Sequence, residues 1–318
     1  MKIYITGVAG FIGFHLCEFL LNHNYEIYGI DNLNDYYDVE LKKERLKRLR
    51  VKSNFTFKKI DLKSNEKLQK SLFEFKPKII INLAAQAGVR YAEKNPSAYV
   101  DSNIIGYINL LSISSKLNIE KFIYASSSSV YSGLTKVPFK ETNILPDPLN
   151  FYAETKIINE RLAKMYSKNF GMKIVGLRFF SAYGPFGRPD MAYFDFSKKL
   201  LKKEPITLFN KGEMSRDMTH VRDIVQGIYL AMNKQIKAGS HEIFNLGNSS
   251  PITTNYLLEY LQKKLDLKGN LIYLESNNEM KTTFADISRS KKELGYNPKV
   301  SFEEGMSEFI YWLKDFYR

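Results

Sequence analysis

The chain has 318 residues and a formal charge of +13, with 47 lysines and arginines against 34 acidic residues. No apolar run approaches the ~20 residues that a membrane-spanning helix needs, and Cys17 is the only cysteine, which excludes an intramolecular disulfide. The basic residues are dispersed along polar faces, as at Lys42, Lys43 and Arg45, without a basic-aromatic module for nucleic acid. We therefore expect a protein of the reducing cytoplasm that binds neither membrane nor nucleic acid. Its solvated basic surface would suit anionic small molecules.

The N-terminal stretch predicts a strand, a glycine turn, a helix and a second strand that ends at an acid. This is the layout of a dinucleotide-binding unit. The glycines allow a tight turn, and backbone amides at the start of the helix can approach a pyrophosphate. The first strand covers residues 2–6, the glycines are Gly7, Gly10 and Gly13, the helix begins near Phe11 and Ile12, and the second strand runs from Glu26 to Asp31.

Asp31 lies about 20 residues after the glycine turn, where a carboxylate can accept hydrogen bonds from the hydroxyl groups of an adenosine ribose. The same carboxylate would repel a 2′-phosphate, so the sequence indicates NAD rather than NADP. Two other interpretations are a glycine turn in some other α/β protein and a signal peptide. Glycines within the apolar stretch and the lack of a small-residue cleavage pattern argue against the signal peptide.

Strands and helices alternate along the next part of the chain. The predicted strands cover about 55–57, 78–83, 121–126 and 173–177. One predicted helix ends near Arg50, and three others cover about 66–75, 96–117 and 151–169. The continuous apolar run at 78–83 is typical of a parallel strand that is covered on both faces. This alternation predicts an α/β fold with a Rossmann-type doubly wound parallel sheet.

The pattern changes after Phe179, where loops rich in glycine, proline and arginine separate shorter elements. We expect helices near 193–202, 222–233, 253–265 and 288–294 and from Phe302 onward, with strands at 206–209 and 242–246. We therefore predict two regions. Residues 1–178 form an NAD-binding Rossmann domain. Residues 179–318 form a smaller C-terminal α/β region that mainly binds the substrate and is interleaved with the end of the sheet.

Tyr152 and Lys156 are four residues apart at the start of a predicted helix, so both side chains project from one face. A free tyrosine has a pKa of ~10 and is a poor base, but a lysine ammonium and the positive nicotinamide ring of NAD favour the phenolate. Such a pair can take a hydroxyl proton while a hydride leaves the same carbon. The serine run at 126–129 ends a strand, where ligands bind in open α/β sheets. A serine there can hydrogen-bond the reacting hydroxyl, although a structural role fits some of these serines.

The three glycines, together with Ser127, Tyr152 and Lys156, resemble the extended short-chain dehydrogenase/reductase superfamily, which includes the NAD-dependent epimerases and dehydratases. The resemblance covers essentially the whole chain and extends to segments at 61–62, 83–87, 177–178, 183–185, 216–217 and 245–247. Members mostly act on nucleotide-diphosphate sugars and keep NAD bound. The resemblance thus implies an enzyme in which Tyr152 is the base and then the acid. Ser127 would position the hydroxyl, and Lys156 would orient the cofactor and lower the pKa of the tyrosine.

Three shorter segments, at 29–38, 86–91 and 187–192, resemble the UDP-glucuronate 4-epimerases. This resemblance implies a role for each matching residue. The residues implied to bind NAD are Gly7, Gly10, Phe11, Ile12, Gly13, Asp31, Asn32, Asp61, Leu62, Leu83, Ala84, Ala85 and Lys156. The residues implied to bind the UDP-sugar are Gln86, Arg90, Ser128, Ser129, Ser181, Arg188 and Arg216. Among these, Arg188 would contact the sugar carboxylate and Arg216 the diphosphate. No metal site is expected, and the resemblance also implies a homodimer formed through the helices near 96–117 and 151–169.

Some positions separate the chain from neighbouring chemistries or from the usual pattern. Sugar-nucleotide dehydratases usually carry Asp-Glu where this chain has Ser128 and Ser129, so the acid and base for water elimination are absent. Departures from the UDP-glucuronate 4-epimerases include Ser181, where threonine is common, and 278–280, where Asn-Glu-Met replaces Gly-Asp-Val. These two departures concern the substrate pocket rather than NAD binding.

A carboxylate substrate makes a particular demand on such an enzyme. Oxidation at C4 gives a 4-keto sugar whose C6 carboxylate is β to the ketone. Such an acid loses CO₂ when the breaking bond stands perpendicular to the carbonyl plane. Arg188 can supply a two-point clamp that fixes the carboxylate. A decarboxylase can use an arginine too, so the orientation of the clamp decides between the two reactions.

Our hypothesis is NAD-dependent C4 epimerisation of UDP-glucuronate to UDP-galacturonate through a 4-keto intermediate. The nearest alternatives are a UDP-glucose 4-epimerase and a UDP-glucuronate decarboxylase that use the same three catalytic residues. Two further alternatives are not enzymes. The intact catalytic residues oppose an NAD-sensing regulator, and a basic nucleic-acid-binding protein would show binding with a steep salt dependence.

Overall fold

The computed structural model describes residues 1–275 and 280–317, so Asn278 and Glu279 of the departure at 278–280 lie outside the described residues. The strands are β1 (Lys2–Thr6), β2 (Glu26–Asp31), β3 (Phe55–Lys59), β4 (Ile79–Asn82), β5 (Lys121–Ser127), β6 (Ile174–Phe179), β7 (Ser181–Tyr183), β8 (Ile206–Phe209), β9 (Ser215–His220), β10 (His241–Leu246), β11 (Pro251–Thr253), β12 (Leu271–Leu274) and β13 (Thr282–Thr283). The helices are α1 (Phe11–Asn22), α2 (Val39–Arg50), α3 (Asn65–Phe75), α4 (Val89–Lys94), α5 (Pro96–Tyr99), α6 (Tyr107–Ser114), α7 (Phe151–Phe170), α8 (Ala192–Lys202), α9 (Val221–Asn233), α10 (Thr254–Leu265), α11 (Ser288–Leu294) and α12 (Phe302–Phe316). A π-helix covers Val100–Gly106, and 3₁₀ turns cover Ser128–Tyr131 and Asn210–Gly212.

A seven-stranded parallel sheet forms the centre of the molecule, in the strand order β10-β6-β5-β4-β1-β2-β3. The chain runs outward in both directions from β1 and β4. Such a switch point is where open α/β sheets bind ligands, beyond the carboxyl ends of the strands. The predicted Rossmann-type doubly wound sheet is confirmed.

The two faces of this sheet carry separate cores, because successive side chains of a strand point to opposite faces. In β1, Ile3 and Ile5 pack into one core with residues of α1, α2 and α9. Tyr4, between them, packs into the other core with Leu68 of α3 and Leu110 of α6. Both faces are therefore buried, as the apolar run at 78–83 predicts.

The chain after Phe179 both completes this sheet and builds two smaller ones. Strand β10 pairs with β6 at the edge of the main sheet, and α9 packs on α1. Strand β9 pairs with β7, β11 and β13, and β8 pairs with β12. Five of these strands, β7, β9, β11, β12 and β13, were not predicted, because their short or polar sequences lack an apolar pattern of period two.

The predicted helix over 96–117 is continuous in the structure from Pro96 to Ser114, but its middle is a π-helix rather than an α-helix. This stretch forms α5, the π-helix and α6, which ends at Ser114, and the short helix α4 precedes it without having been predicted. The apolar pattern of the stretch does not distinguish an α-helix from a helix with an inserted π-turn. Such insertions occur frequently at functional sites, and this one holds Asn103 against the backbone of Gln86, a residue that lines the cleft described below.

Helix α7 carries the candidate catalytic pair, and its ends agree with the prediction. The side chain of Asn150 accepts a hydrogen bond from the backbone N–H of Ala153 at 2.9 Å and caps the first turn. Gly171, with φ +66, ends the helix in the left-handed conformation. Within 1–275 and 280–317, the structure contains no helix both long enough and apolar enough to cross a membrane.

Candidate active site

A cleft of about 1040 Å³ opens at the carboxyl ends of the main-sheet strands and extends to the smaller sheets. Every residue that the sequence predicted for the site lines this cleft. They are Gly7, Gly10, Phe11, Ile12, Gly13, Asp31, Asn32, Asp61, Leu62, Leu83, Ala84, Ala85, Gln86, Arg90, Ser127, Ser128, Ser129, Tyr152, Lys156, Ser181, Arg188 and Arg216. The structure thus brings the whole set together, while the role of each residue stays a prediction.

The glycine turn between β1 and α1 has no room for side chains. Gly7 has φ +77, in the left-handed region, and a Cβ there would lie 2.7 Å from the backbone nitrogen of Ala84. A Cβ on Gly13 would overlap the carbonyl oxygen of Gly7. In the described part of the chain, no side chain caps the start of α1. The N–H groups at this helix end are therefore available to an anion such as a pyrophosphate.

Asp31 ends β2 with its carboxylate held from two sides. Oδ2 accepts from the N–H of Ala9 at 3.1 Å, and Oδ1 accepts from the N–H of Leu33 at 2.8 Å. Burial raises the pKa of Asp31, and these hydrogen bonds oppose the rise. The neighbouring Asn32 donates to Oδ2 of Asp61 at 2.9 Å, which joins the ends of β2 and β3. A glycine cradle followed by these carboxylates fits NAD, whose adenosine ribose carries no 2′-phosphate.

Tyr152, Lys156 and Ser127 meet at the carboxyl end of β5. The ammonium of Lys156 donates to the carbonyl of Ala125 at 2.9 Å and lies 5.9 Å from the centre of the Tyr152 ring. Burial lowers the pKa of Lys156 to about 8. Burial also raises the pKa of Tyr152, whereas a hydrogen bond with Ser127 and the charge of Arg188 lower it.

This arrangement places a second cation, Arg188, where its charge acts on the tyrosine. That the ammonium of Lys156 lowers the pKa of Tyr152 stays a prediction, and in the structure the charge of Arg188 lowers this pKa. The sequence reasoning took Arg188 only as a contact for the substrate.

A buried ion pair behind Lys156 was not predicted. Arg178 of β6 donates from Nε and Nη2 to the two carboxylate oxygens of Glu160, at 2.8 and 2.7 Å. Ser126 donates to the same carboxylate at 2.6 Å, so this serine of the run has a structural role. Glu160 lies one turn beyond Lys156 on α7, and its charge partly offsets the effect of burial on the lysine. The continued four-residue spacing from Tyr152 was a signal that could have identified it.

Asn103, in the π-helix, was missed for lack of any sequence signal. Its side-chain amide exchanges hydrogen bonds with the backbone of Gln86, at 2.8 and 2.9 Å, and also donates to the hydroxyl of Thr155 at 3.1 Å. Asn159 donates to its carbonyl at 2.6 Å. The π-helix thereby ties the segment that carries Gln86 to the first turns of α7.

Arg188 does not stand free in the cleft. Its Nε donates to Oδ1 of Asp190 at 3.0 Å, and its Nη2 donates to Oδ2 of the same carboxylate. Tyr36 also donates to Oδ2 of Asp190, at 3.0 Å. One edge of the guanidinium is therefore already occupied, which the prediction of a two-point clamp on the substrate did not include.

The far end of the cleft holds the residues predicted to meet the nucleotide. Arg216, on β9, donates from Nη1 to the carbonyls of Ser215 and Met280, both at 2.9 Å. The guanidinium of Arg90 lies over the ring of Phe209, 4.2 Å from its centre. Both cations line the cleft where β8 and β9 approach it.

The expectation that the basic residues of α2 all lie on a solvated face is wrong for two of them. Lys42 and Arg45 are buried. Arg45 donates from Nη1 to the carbonyl of Ala9 at 2.7 Å, and from Nη2 to the carbonyls of Phe186 and Gly187 at 2.6 and 2.9 Å. It thus links the glycine turn to the loop that carries Arg188.

Comparison with known proteins agrees with this site. The model of the NAD dependent epimerase/dehydratase family matches residues 3–247. A UDP-glucuronate 4-epimerase of Thermodesulfobacterium geofontis is 41% identical over 314 residues, which cover 98% of this chain and 95% of that protein. The structure is similar to a UDP-glucuronic acid 4-epimerase from Bacillus cereus in complex with UDP-glucuronic acid and NAD, with a TM-score of 0.93, 35% identity and 100% of both chains covered. It is also similar to a UDP-glucose 4-epimerase from Thermotoga maritima with UDP-glucose, with a TM-score of 0.91, 30% identity and 100% of both chains covered. The chain therefore belongs to the NAD-dependent epimerase/dehydratase family.

Proposed function

We propose that this chain is an NAD-dependent epimerase that inverts C4 of UDP-glucuronate to give UDP-galacturonate. The observation that carries the proposal is that Arg188 lines the same cleft as Tyr152, Ser127 and Lys156, where its charge favours the phenolate of Tyr152. A base for the C4 hydroxyl and a cation for the C6 carboxylate can then serve one sugar. The full-length similarity to UDP-glucuronate 4-epimerases supports this choice of substrate.

The first part of the cleft would hold NAD. Backbone amides at the start of α1 would bind the pyrophosphate, Asp31 and Asn32 the adenosine ribose, and Asp61 and Leu62 the adenine. Lys156 would bind the nicotinamide ribose. The chemistry that NAD supplies when bound is hydride exchange with C4 of the sugar. We place these contacts in residues 1–178, and we propose that residues 179–318 mainly bind the sugar nucleotide.

Tyr152 would take the proton of the C4 hydroxyl in one half of the reaction and return it in the other. Ser127, whose hydroxyl lowers the pKa of the phenol through hydrogen bonding, would hold the C4 hydroxyl within reach of it. Because burial favours the neutral phenol, proton removal depends on positive charge nearby, which Arg188 supplies in the structure. Ser128, Ser129 and Ser181 would bond the remaining polar groups of the sugar.

The carboxylate must survive the 4-keto stage of this reaction. Arg188 would keep the bond between C5 and C6 away from the perpendicular arrangement that expels CO₂. This role of Arg188 separates the proposed epimerase from a decarboxylase with the same catalytic residues. The product therefore distinguishes the two reactions.

The test is to incubate purified protein with UDP-glucuronate and to follow the products by proton NMR. We expect UDP-galacturonate that retains C6. The Tyr152→Phe variant should lose turnover and still bind NAD, which shows that its fold is intact. A UDP-pentose with CO₂ release would identify a decarboxylase instead, and turnover of UDP-glucose alone would identify a UDP-glucose epimerase. No turnover with intact NAD binding would overturn the proposal.

We also propose a cytoplasmic homodimer formed through the π-helix and α7. Ile105 and Met165 on these two neighbouring elements are 44% and 45% exposed, and they offer apolar side chains to a second copy of the chain. Sedimentation equilibrium should give twice the mass of the chain, and Ile105→Glu with Met165→Glu should give the monomer. Tyr311→Glu, at a residue of α12 that is 81% exposed, is the matched control and should leave the dimer intact. A monomeric wild-type protein would contradict the proposal.

A further inference from the structure

The three segments that resemble UDP-glucuronate 4-epimerases meet beside Arg188. Asp190, from the segment 187–192, accepts two hydrogen bonds from Arg188. Tyr36, from the segment 29–38, donates its hydroxyl to the same carboxylate at 3.0 Å. Gly88, from the segment 86–91, has φ +98, and a Cβ there would overlap the hydroxyl of Tyr36. One cluster of Tyr36, Gly88, Arg188 and Asp190 thus draws on all three segments.

Both members of the ion pair in this cluster are charged at neutral pH. Burial raises the pKa of Asp190, but the charge and hydrogen bonds of Arg188 outweigh it and hold that pKa below its usual range. For Arg188, burial works in the opposite direction, and the charge of Asp190 raises the pKa above its ordinary value. The two side chains are 24% and 29% exposed. A guanidinium paired in this way presents much less net charge to an incoming anion than an unpaired one.

We propose that Asp190, held in place by Tyr36, is a positioning residue that orients Arg188 and offsets its charge. The substrate carboxylate is then bound weakly enough for the 4-keto sugar to rotate and present its other face. The inference rests on the proposed epimerisation. An epimerase must let the keto sugar rotate to present its second face. A contact with the substrate that is equally strong before and during this rotation does not increase the rate of turnover. A guanidinium whose Nε edge is bonded to Asp190 offers the substrate only its remaining N–H groups.

The geometry also explains why Tyr36 is needed to hold Asp190 in place. A carboxylate that bonds only Arg188 can follow the guanidinium when a substrate carboxylate arrives. The hydrogen bond from Tyr36 ties Asp190 to a loop of the cofactor-binding part of the chain. The ring of Tyr91 packs on Tyr36 with 4.7 Å between centres, which restrains the tyrosine in turn.

The test compares Asp190→Asn with the parent in NAD-loaded protein that carries Tyr152→Phe, so that ligands bind without turnover. Calorimetry with UDP-glucuronate should give a Kd about tenfold lower in Asp190→Asn, since one negative charge near the carboxylate is removed. UDP-xylose, which lacks the carboxylate, should bind with an unchanged Kd. With Tyr152 restored, kcat for epimerisation should fall in Asp190→Asn. Tyr36→Phe should shift both quantities in the same directions by a smaller factor.

A role for Asp190 in folding alone predicts the opposite sign, because a less ordered Arg188 would bind UDP-glucuronate more weakly. An unchanged or higher Kd for UDP-glucuronate, an equal fall in the Kd of UDP-xylose, or an unchanged kcat would each overturn the proposal. Glu293→Gln removes an exposed charge paired with Arg289 far along the chain, and it controls for the change in net charge. If the wild type binds UDP-glucuronate without epimerising it, the proposed function fails, and the Kd comparison still measures the effect of Asp190 separately.

Discussion

Removing Glu160 should be among the most damaging single changes outside the reacting groups. Its carboxylate forms both hydrogen bonds of the buried pair with Arg178 and accepts the hydroxyl of Ser126. The side chains of Arg178 and Glu160 are only 3% and 7% exposed. In Glu160→Leu, the guanidinium of Arg178 therefore stays buried without a carboxylate to balance it.

The expected magnitude follows from this burial. Breaking a buried ion pair by removing one partner lowers the free energy of unfolding by about 3–5 kcal/mol, whereas replacing both partners by apolar residues is often nearly neutral. We therefore expect the double variant with Arg178→Met to be more stable than Glu160→Leu alone. The partly exposed pair of Arg48 and Glu44 on α2, at 3.1 Å, is the control, and Glu44→Ala should cost about 0.3–0.5 kcal/mol.

Urea unfolding with linear extrapolation measures each free energy of unfolding. The reasoning is refuted if Glu160→Leu lowers the free energy of unfolding no more than Glu44→Ala does. It is also refuted if the double variant lowers this free energy by the sum of the decreases in Glu160→Leu and Arg178→Met.

The same variant should also change the pH dependence of turnover. Burial lowers the pKa of Lys156 to about 8, and the charge of Glu160 raises it. A lysine carries its charge below its pKa, so kcat/KM of the wild type should decline as the pH rises through about 8. Without the Glu160 charge the pKa of Lys156 falls further, and this decline should begin at a lower pH. If kcat/KM declines at the same pH in the wild type and in Glu160→Leu, the assignment of this decline to Lys156 is contradicted.

Three further predictions concern the cleft itself. Gly13→Ala forces a Cβ onto the carbonyl of Gly7, so NAD affinity measured by calorimetry should fall by at least about tenfold; unchanged affinity would refute the tight turn. Asp31→Asn keeps one of the two oxygens that accept from the neighbouring amides and removes the charge, so the preference for NAD over NADP should narrow by about tenfold in competition binding. An unchanged preference would refute the electrostatic argument. Arg188→Ala should raise the Kd of UDP-glucuronate by about 30-fold and leave that of UDP unchanged, whereas an equal loss for both ligands would remove Arg188 from carboxylate recognition.

The parts of the fold that could be predicted from the sequence are those encoded locally. The glycine turn, the four-residue spacing of Tyr152 and Lys156, and the cap of α7 at Asn150 each involve residues within one or two turns of the chain. Their backbone requirements leave few alternatives, because only glycine fits at Gly7 and Gly13. The cofactor end of the cleft was therefore predictable almost residue by residue.

The parts that could not be predicted depend on partners that lie far apart in the chain. Tyr36 and Asp190 are separated by 154 residues, and Asn103 and Thr155 by 52. Neither contact leaves a periodic signal, since polar side chains in loops and in an inserted π-turn are compatible with many partners. The pairing of Arg188 with Asp190 is close in sequence but equally invisible, because two residues in a loop carry no fixed geometry.

Arg45 shows how these local and distant contacts combine into one site. It is a fully buried cation whose guanidinium bonds backbone carbonyls on both sides of the cleft, at Ala9 before α1 and at Phe186 and Gly187 before Arg188. Burial of a charge is unfavourable unless polar partners replace water. Here those partners come from two loops, which must keep their relative positions for Arg45 to bond both. A shift of the glycine turn is therefore resisted through Arg45 by the loop that holds Arg188. This coupling explains why Arg45 is buried although α2 carries no reacting group. It also joins residues on both sides of the predicted division at 178.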